Sequence, residues 1–143
     1  MEPVDIAIAD WERERTSIRR VREAVFIREQ KVDPAIEWDD QETSATHFLV
    51  RLQGEPVATG RLTRSGKIGR MAVLSPYRGR GIGKKLLETL CAHARSIGLR
   101  QVYLHAQCHA RDFYVRCGFQ VVGDEFEEAG IPHIKMERRF DGN

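Results

Sequence analysis

The sequence predicts an α+β layered domain whose middle holds a strand–helix–strand crossover. Three observations carry this: short apolar runs separated by glycine-containing turns, longer segments with apolar residues at helical spacing, and a glycine-rich corner joining the two kinds. The chain has 143 residues, 41% hydrophobic and 31% charged, which suits one compact domain over residues 1–143.

The elements follow in order. In "VDIAIAD", Val4, Ile6 and Ile8 alternate with other residues, as a half-buried strand requires. From Trp11 to about Arg28, Ile18, Val21 and Val25 recur at helical spacing among many charges, which predicts an amphipathic helix with a broad solvated face. "KVDPAIEWDDQETSAT" has Pro34 and no apolar period, and reads as a loop with at most a helical turn. Its Asp33, Glu37, Asp39, Asp40 and Glu42 form an acidic segment, either a solvated loop or a charge that draws a cationic amine. "THFLVRL", "EPVATGRLT" and "KIGRMAVL", separated by turn residues, read as an antiparallel meander. Beyond "SPYRGRGIGKK", Ile82, Leu86, Leu87, Leu90, Ala94 and Ile97 mark one face of a helix that Gly98 stops. "RQVYLHAQ" supplies a strand and "HARDFYVRC" a short helix ended by Gly118, and "FQVVGDEF" with "PHIKMERRF" forms a closing strand pair.

Bulk properties exclude several functions. Twenty-three basic against twenty-one acidic residues give a net charge of +2, too balanced for a nucleic-acid partner held by a general positive field. No apolar run has the length of a membrane span, and the start lacks the layout of a signal peptide, so the expected location is cytoplasmic and no membrane partner is expected. Cys91, Cys108 and Cys117 form neither a CxxC pair nor a zinc-like cluster, which predicts reduced thiols and no metal.

The corner "YRGRGIGKK", Tyr77 to Lys85, is the most specific feature. Glycines let backbone N–H groups approach a ligand closely, and the first turn of a helix offers unpaired donors at a positive dipole end. Arg78, Arg80, Lys84 and Lys85 add positive charge, so the corner reads as an anion cradle for a ligand with several phosphates. The bland alternative is a tight turn with a solvated basic face. A P-loop fits poorly, because Lys-Leu stands where the metal-holding hydroxyl belongs, and a dinucleotide fingerprint would need an earlier βαβ unit.

"GRMAVLSPYRGRGIGKKLLETL" resembles the acyl-CoA signature of the GNAT superfamily of N-acetyltransferases, with Arg78, Gly81 and Gly83 on its Q/R-x-x-G-x-G/A positions. "VREAVFIREQKVD", "LHAQCHARDFYVRCGF" and "EFEEAGIPHIKM" further resemble the ElaA/YjcF-like branch of small bacterial members, so the similarity covers essentially residues 5–140. The resemblance implies a mixed, mostly antiparallel sheet with helices on both faces, splayed open between "GRMAVL" and "QVYLHAQ". It also implies acetyl-CoA as co-substrate, with the pyrophosphate on the loop of Arg78, Gly79, Arg80, Gly81, Ile82, Gly83 and Lys84, and Met71 and Ala72 lining the pantetheine arm.

By the same resemblance the Val73 N–H polarises the thioester carbonyl, and Tyr114 protonates the departing thiolate with an ordinary phenol pKa near 10. Gln107 faces the cofactor, and Phe113 packs beside it. Many GNAT proteins carry a carboxylate on the strand before the phosphate loop, where this chain has Gly69 and Arg70. Glu29 is then a candidate base, its pKa raised by partial burial; His105 and His133, on the acceptor side, are alternatives, as is a water chain. Cys108 beside His109 has no orienting third group and is not read as a nucleophile. The acceptor implied is an amine on a small molecule or peptide. A catalytically silent acyl-CoA sensor on the same fold and an unrelated phosphate-ligand module are the competing functions, and monomer and homodimer both remain open.

Overall fold

The computed structural model describes residues 4–39 and 41–140. Strands β1 (Val4–Ala9), β2 (Thr46–Leu52), β3 (Glu55–Leu62) and β4 (Ile68–Val73) form one antiparallel sheet in that order. Strands β5 (Gln101–Gln107), β6 (Gln120–Glu128) and β7 (Ile131–Arg139) form a second, in the order β5-β7-β6. A parallel bridge between Lys67 and Tyr103 joins the two sheets at one end. Helices α1 (Trp11–Arg22), α2 (Pro34–Glu37), α3 (Ile82–Ser96) and α4 (Arg111–Arg116) complete the α+β architecture.

β2 shows how the layers are set. Phe48 and Val50 join the core built around Leu86, Leu87 and Leu90 of α3, whereas Leu49, between them, packs with Ile18 of α1. Successive strand side chains point to opposite faces, so α1 and α3 cover opposite faces of the first sheet. Burying each α3 leucine completely contributes about 1.5–3 kcal/mol relative to leaving it exposed. Two residues of the expected apolar pattern fall outside the core: Ile8 is 58% exposed on the outer strand β1, and Ile97 is 57% exposed just past the end of α3. At β1 the buried end residue is instead Ala9, which packs with Ile18 and Leu49.

α1 starts at Asp10, whose carboxylate accepts from the Glu12 N–H. It does not stop near Arg28 as an ordinary helix. Glu23–Glu29 is a π-helical segment, and the Gln30 N–H donates to Val25 O, five residues back. Such wide turns are frequent at functional sites, and this one delivers Glu29 and Gln30 to the cleft described below.

Much of the acidic segment is built into the fold rather than left as a solvated loop, and its Glu37 and Asp39 also line the cleft described below. Asp33 caps α2 and Pro34 occupies its first turn. Glu37 and Glu42 are 3% and 6% exposed and clamp Arg22, itself 1% exposed. The Arg22 guanidinium donates to Glu37 Oε2 at 2.7 Å and to Glu42 Oε2 at 2.8 Å, with Trp38 stacked 4.7 Å from its carbon. Arg61 joins Glu42 to Asp39, and Arg70 reaches Asp39 as well. Asp40 lies outside the described residues.

Asp39 gives this network a pH signature. Burial opposes its ionisation, but hydrogen bonds from Arg61 and Gln41 and the charges of Arg61 and Arg70 win, lowering its pKa to about 2. A carboxylate with a folded pKa below its unfolded value adds stability above the unfolded pKa and loses it as pH falls through the folded one. Urea unfolding should therefore show a stability contribution vanishing between about pH 4 and pH 2, absent in Asp39→Asn. An Asp39→Asn protein whose stability falls over that window as steeply as the wild type would contradict it.

Candidate active site

The site begins with an irregularity in β4. Thr59 pairs with Ala72 and Arg61 with Gly69, so Arg70 and Met71 together face Gly60, and Arg70 takes φ of +51°. This is a β-bulge, which bends and twists its strand. β4 and β5 share the Lys67–Tyr103 bridge and lie in separate sheets beyond it. A cleft of about 1270 Å³ opens there, lined by both strands, the π segment, α4 and the glycine corner.

Backbone groups on the β4 side face into the opening. The Leu74 N–H donates to Val57 O of β3, and successive strand amides point to opposite edges, so the Val73 N–H points to the open edge. The Val73 carbonyl points the same way and accepts from Arg78 Nε at 2.9 Å. Met71 and Val73 pack toward the α3 core, while the Ala72 side chain turns into the opposite cluster with Val21, Val25, Phe26 and Val32. Ala72 thus offers the cleft mainly backbone.

The glycine corner closes one end. Gly79 and Gly81 adopt φ of +77° and +81°, conformations strained for other residues, and Gly81 caps α3 without any side-chain hydrogen bond. The first N–H groups of a helix have no partner within it, so those of α3 stand at the cleft beside Lys84. Ile82 is buried in the core and presents only backbone. Gly83 marks a throat: a Cβ there would lie 3.7 Å from Phe113 Cζ and 3.8 Å from Val73 Cγ2.

The expected cations divide. Arg80 stacks over Tyr77 at 5.4 Å and lines no part of the cleft. Arg78 faces the cleft but is engaged by Glu29 through two hydrogen bonds of 2.6 and 2.7 Å. This pair also corrects the expectation for Glu29: it is exposed, and the Arg78 hydrogen bond, against slight burial, lowers its pKa. A carboxylate so held is ionised but weakly basic.

Tyr114 borders the same cleft from α4, edge-on to Phe113 and Phe119 at 5.0 and 5.9 Å. Burial pushes its pKa up to about 12, above the ordinary phenol value expected. Gln107, at the end of β5, exchanges two amide hydrogen bonds with Gln30, at 2.9 and 3.2 Å, and so ties the π segment to the second sheet. His109 turns to Gln107 at 2.6 Å, away from any nucleophilic pairing with Cys108.

His105 and His133 both line the cleft, on the face of the second sheet away from α3. Between them stands Glu128, unnoticed in the sequence: His105 Nδ1 lies 2.9 Å from one of its oxygens and His133 Nε2 3.9 Å from the other. Burial disfavours its charge, but the His105 hydrogen bond and the charges of His105, His133 and Lys67 outweigh it, and its pKa is lowered. Gln30 and Arg22 were likewise missed. Their partners come from distant segments, so no local pattern announces them.

The site thus combines a split sheet, backbone donors on its open edge and a glycine corner at a helix start. The chain belongs to the GNAT acetyltransferase family, whose acetyltransferase (GNAT) domain matches residues 14–140. It is 37% identical over 120 residues to the uncharacterized N-acetyltransferase YjcF of Bacillus subtilis, covering 81% of this chain and 86% of that one. It is 36% identical over 133 residues to protein ElaA of Escherichia coli, covering 85% of each. An acyl-CoA N-acyltransferase from Pseudomonas aeruginosa, known from a crystal structure, matches with a TM-score of 0.84 and 31% identity, over 95% of this chain and 99% of that one. The expected family and fold class are therefore those of the protein. Among the described residues no helix is long and apolar enough to cross a membrane, and no group of side chains is arranged to hold a metal ion.

Proposed function

We propose that residues 1–143 act as one acetyl-CoA-dependent N-acetyltransferase domain that acetylates a primary amine on a small molecule or peptide. The observation that carries this is the convergence on one cleft of the α3 N-terminus, the outward Val73 N–H and the Tyr114 side chain. Helix N-terminal donors and Lys84 suit a pyrophosphate, while Met71, Val73 and Phe113 suit the arm. Arg78 serves the phosphates once they compete with Glu29 for its guanidinium. Free Cys91, Cys108 and Cys117 fit a reducing compartment, so the proposed location is the cytoplasm.

In this reading the neutral amine attacks the thioester carbon, whose oxygen is stabilised by the Val73 N–H. The C–S bond breaks as the C–N bond forms, giving an amide and CoA. The amine gives up one proton to a base, and Tyr114 gives one to the thiolate. A phenol with a pKa of about 12 keeps its proton at neutral pH; a thiolate desolvated in the same slot is a stronger base than in water.

Thiol release tests the reading. The chain is incubated with acetyl-CoA and, separately, spermidine, tyramine, glucosamine, free lysine and a lysine-containing peptide. Release that requires both acetyl-CoA and one of the amines supports the transferase. Acetyl-CoA binding without release with any amine favours the silent sensor.

A further inference from the structure

We infer that His105, oriented by Glu128, is the proton acceptor for the attacking amine, replacing the carboxylate this chain lacks on β4. The inference rests on the transferase reading above. The parallel bridge of Lys67 with Tyr103 sets Gly69 of β4 abreast of His105 of β5, directly across the opening. A Cβ at Gly69 would meet nothing within 4 Å, so the cleft has room beside the imidazole. The base has thus moved from one wall of the slot to the other.

Geometry selects His105 from the candidates. Glu29 is spent on Arg78. His133 is 6% exposed, its Nδ1–H donates to the Ile131 carbonyl at 2.7 Å, and its ring stacks on Phe126, all marks of a satisfied structural residue. The His105 side chain is 26% exposed, borders the cleft, and is braced edge-on by Phe126 at 5.0 Å. With Glu128 ionised, Nδ1 carries the proton and donates to it, which leaves the Nε2 lone pair to accept. Among the described residues no hydrogen-bond partner reaches Nε2. A carboxylate that fixes tautomer and orientation while stabilising the imidazolium is the role played by the acidic member of hydrolase triads.

The proton passes from the amine nitrogen to Nε2 through one water. The N–H bond breaks as the amide forms, the imidazolium is paired with Glu128 until bulk water takes its proton, and the Tyr114 phenolate left by thiolate protonation regains one from bulk water. The other charged or titratable groups facing His105 are His133 and Lys135 from β7, Tyr103 on its own strand, and Lys67 beside β4.

Two readouts on the full chain test this. The first needs no acceptor: long-range ¹H–¹⁵N spectra of the imidazole rings, with acetyl-CoA present, should show neutral His105 as the Nδ1–H tautomer, and Glu128→Gln should shift it toward Nε2–H. The second uses the most active amine of the panel above. His105→Gln should lower kcat by roughly 10²-fold or more, abolish the acid limb of the kcat profile, and leave the acetyl-CoA Kd within a few-fold. Glu128→Gln should give a smaller loss in the same sense. An Nε2–H tautomer in the wild type, or a His105→Gln enzyme within a few-fold of wild-type kcat, overturns the inference. No thiol release by the wild type with any amine overturns the transferase reading and the role of His105 with it, whereas release by the wild type with an unaffected His105→Gln overturns the inference alone.

Discussion

Tyr114→Phe should lower kcat by roughly 10²- to 10⁴-fold while leaving acetyl-CoA affinity nearly unchanged. The substitution keeps the ring that packs edge-on against Phe113 and Phe119, so the fold loses little. Only the hydroxyl disappears. With the pKa at about 12, no alkaline limb from this phenol falls in the working range, which makes the variant a cleaner probe than a pH profile. Rates are compared under acetyl-CoA saturation with the most active amine of the panel, and affinities by calorimetry. A Tyr114→Phe enzyme within a few-fold of wild type would remove this residue from the mechanism and leave water or the substrate ammonium as proton donor.

Arg22→Ala should cost about 3–5 kcal/mol of stability, measured by urea unfolding, because it removes the central partner of two buried carboxylates and leaves Glu42 only Arg61 and Glu37 only the longer contact with Arg70. Glu37 and Glu42 both depend on this guanidinium, and Nη2 also donates to the Glu37 carbonyl at 3.1 Å. Arg22→Lys should recover little: a point charge cannot reproduce a planar fork that bonds two acids and stacks on Trp38. A loss below about 1 kcal/mol for Arg22→Ala would mean that the acids escape to water and that the network does not hold the 34–42 segment against β3 and β4.

What could be read in the sequence was local. The glycine corner announced itself because left-handed glycines, a helix start and an apolar stripe lie within one stretch, and the physics joining them acts over neighbouring residues. The meander was legible for the same reason, since each strand pairs with the next through a short turn. The buried ion network was not: Arg22, the pair Glu37 and Glu42, and Arg61 come from three segments, and each alone looks like a surface charge. Nor was the pairing of His105 with Glu128, which depends on β7 being inserted between β5 and β6. Gly69-Arg70 was noticed as a missing carboxylate, yet its larger meaning was the bulge that parts the sheet, and a bulge depends on register with a neighbouring strand.

The central claim is that the cleft between β4 and β5 receives acetyl-CoA with its phosphates at the start of α3. Gly83 tests it most directly, because its Cβ direction points at the throat between Phe113 and Val73 while its φ is not left-handed, so a larger residue there obstructs the cleft without straining the backbone. Isothermal titration of acetyl-CoA into wild type and Gly83→Val, beside their thermal unfolding, is the decisive measurement. Saturable binding by the wild type, weakened at least about tenfold in Gly83→Val with a melting temperature within a few degrees, is the predicted result; a tenfold change corresponds to about 1.4 kcal/mol. No binding by the wild type, or equal binding by a folded Gly83→Val protein, would contradict it.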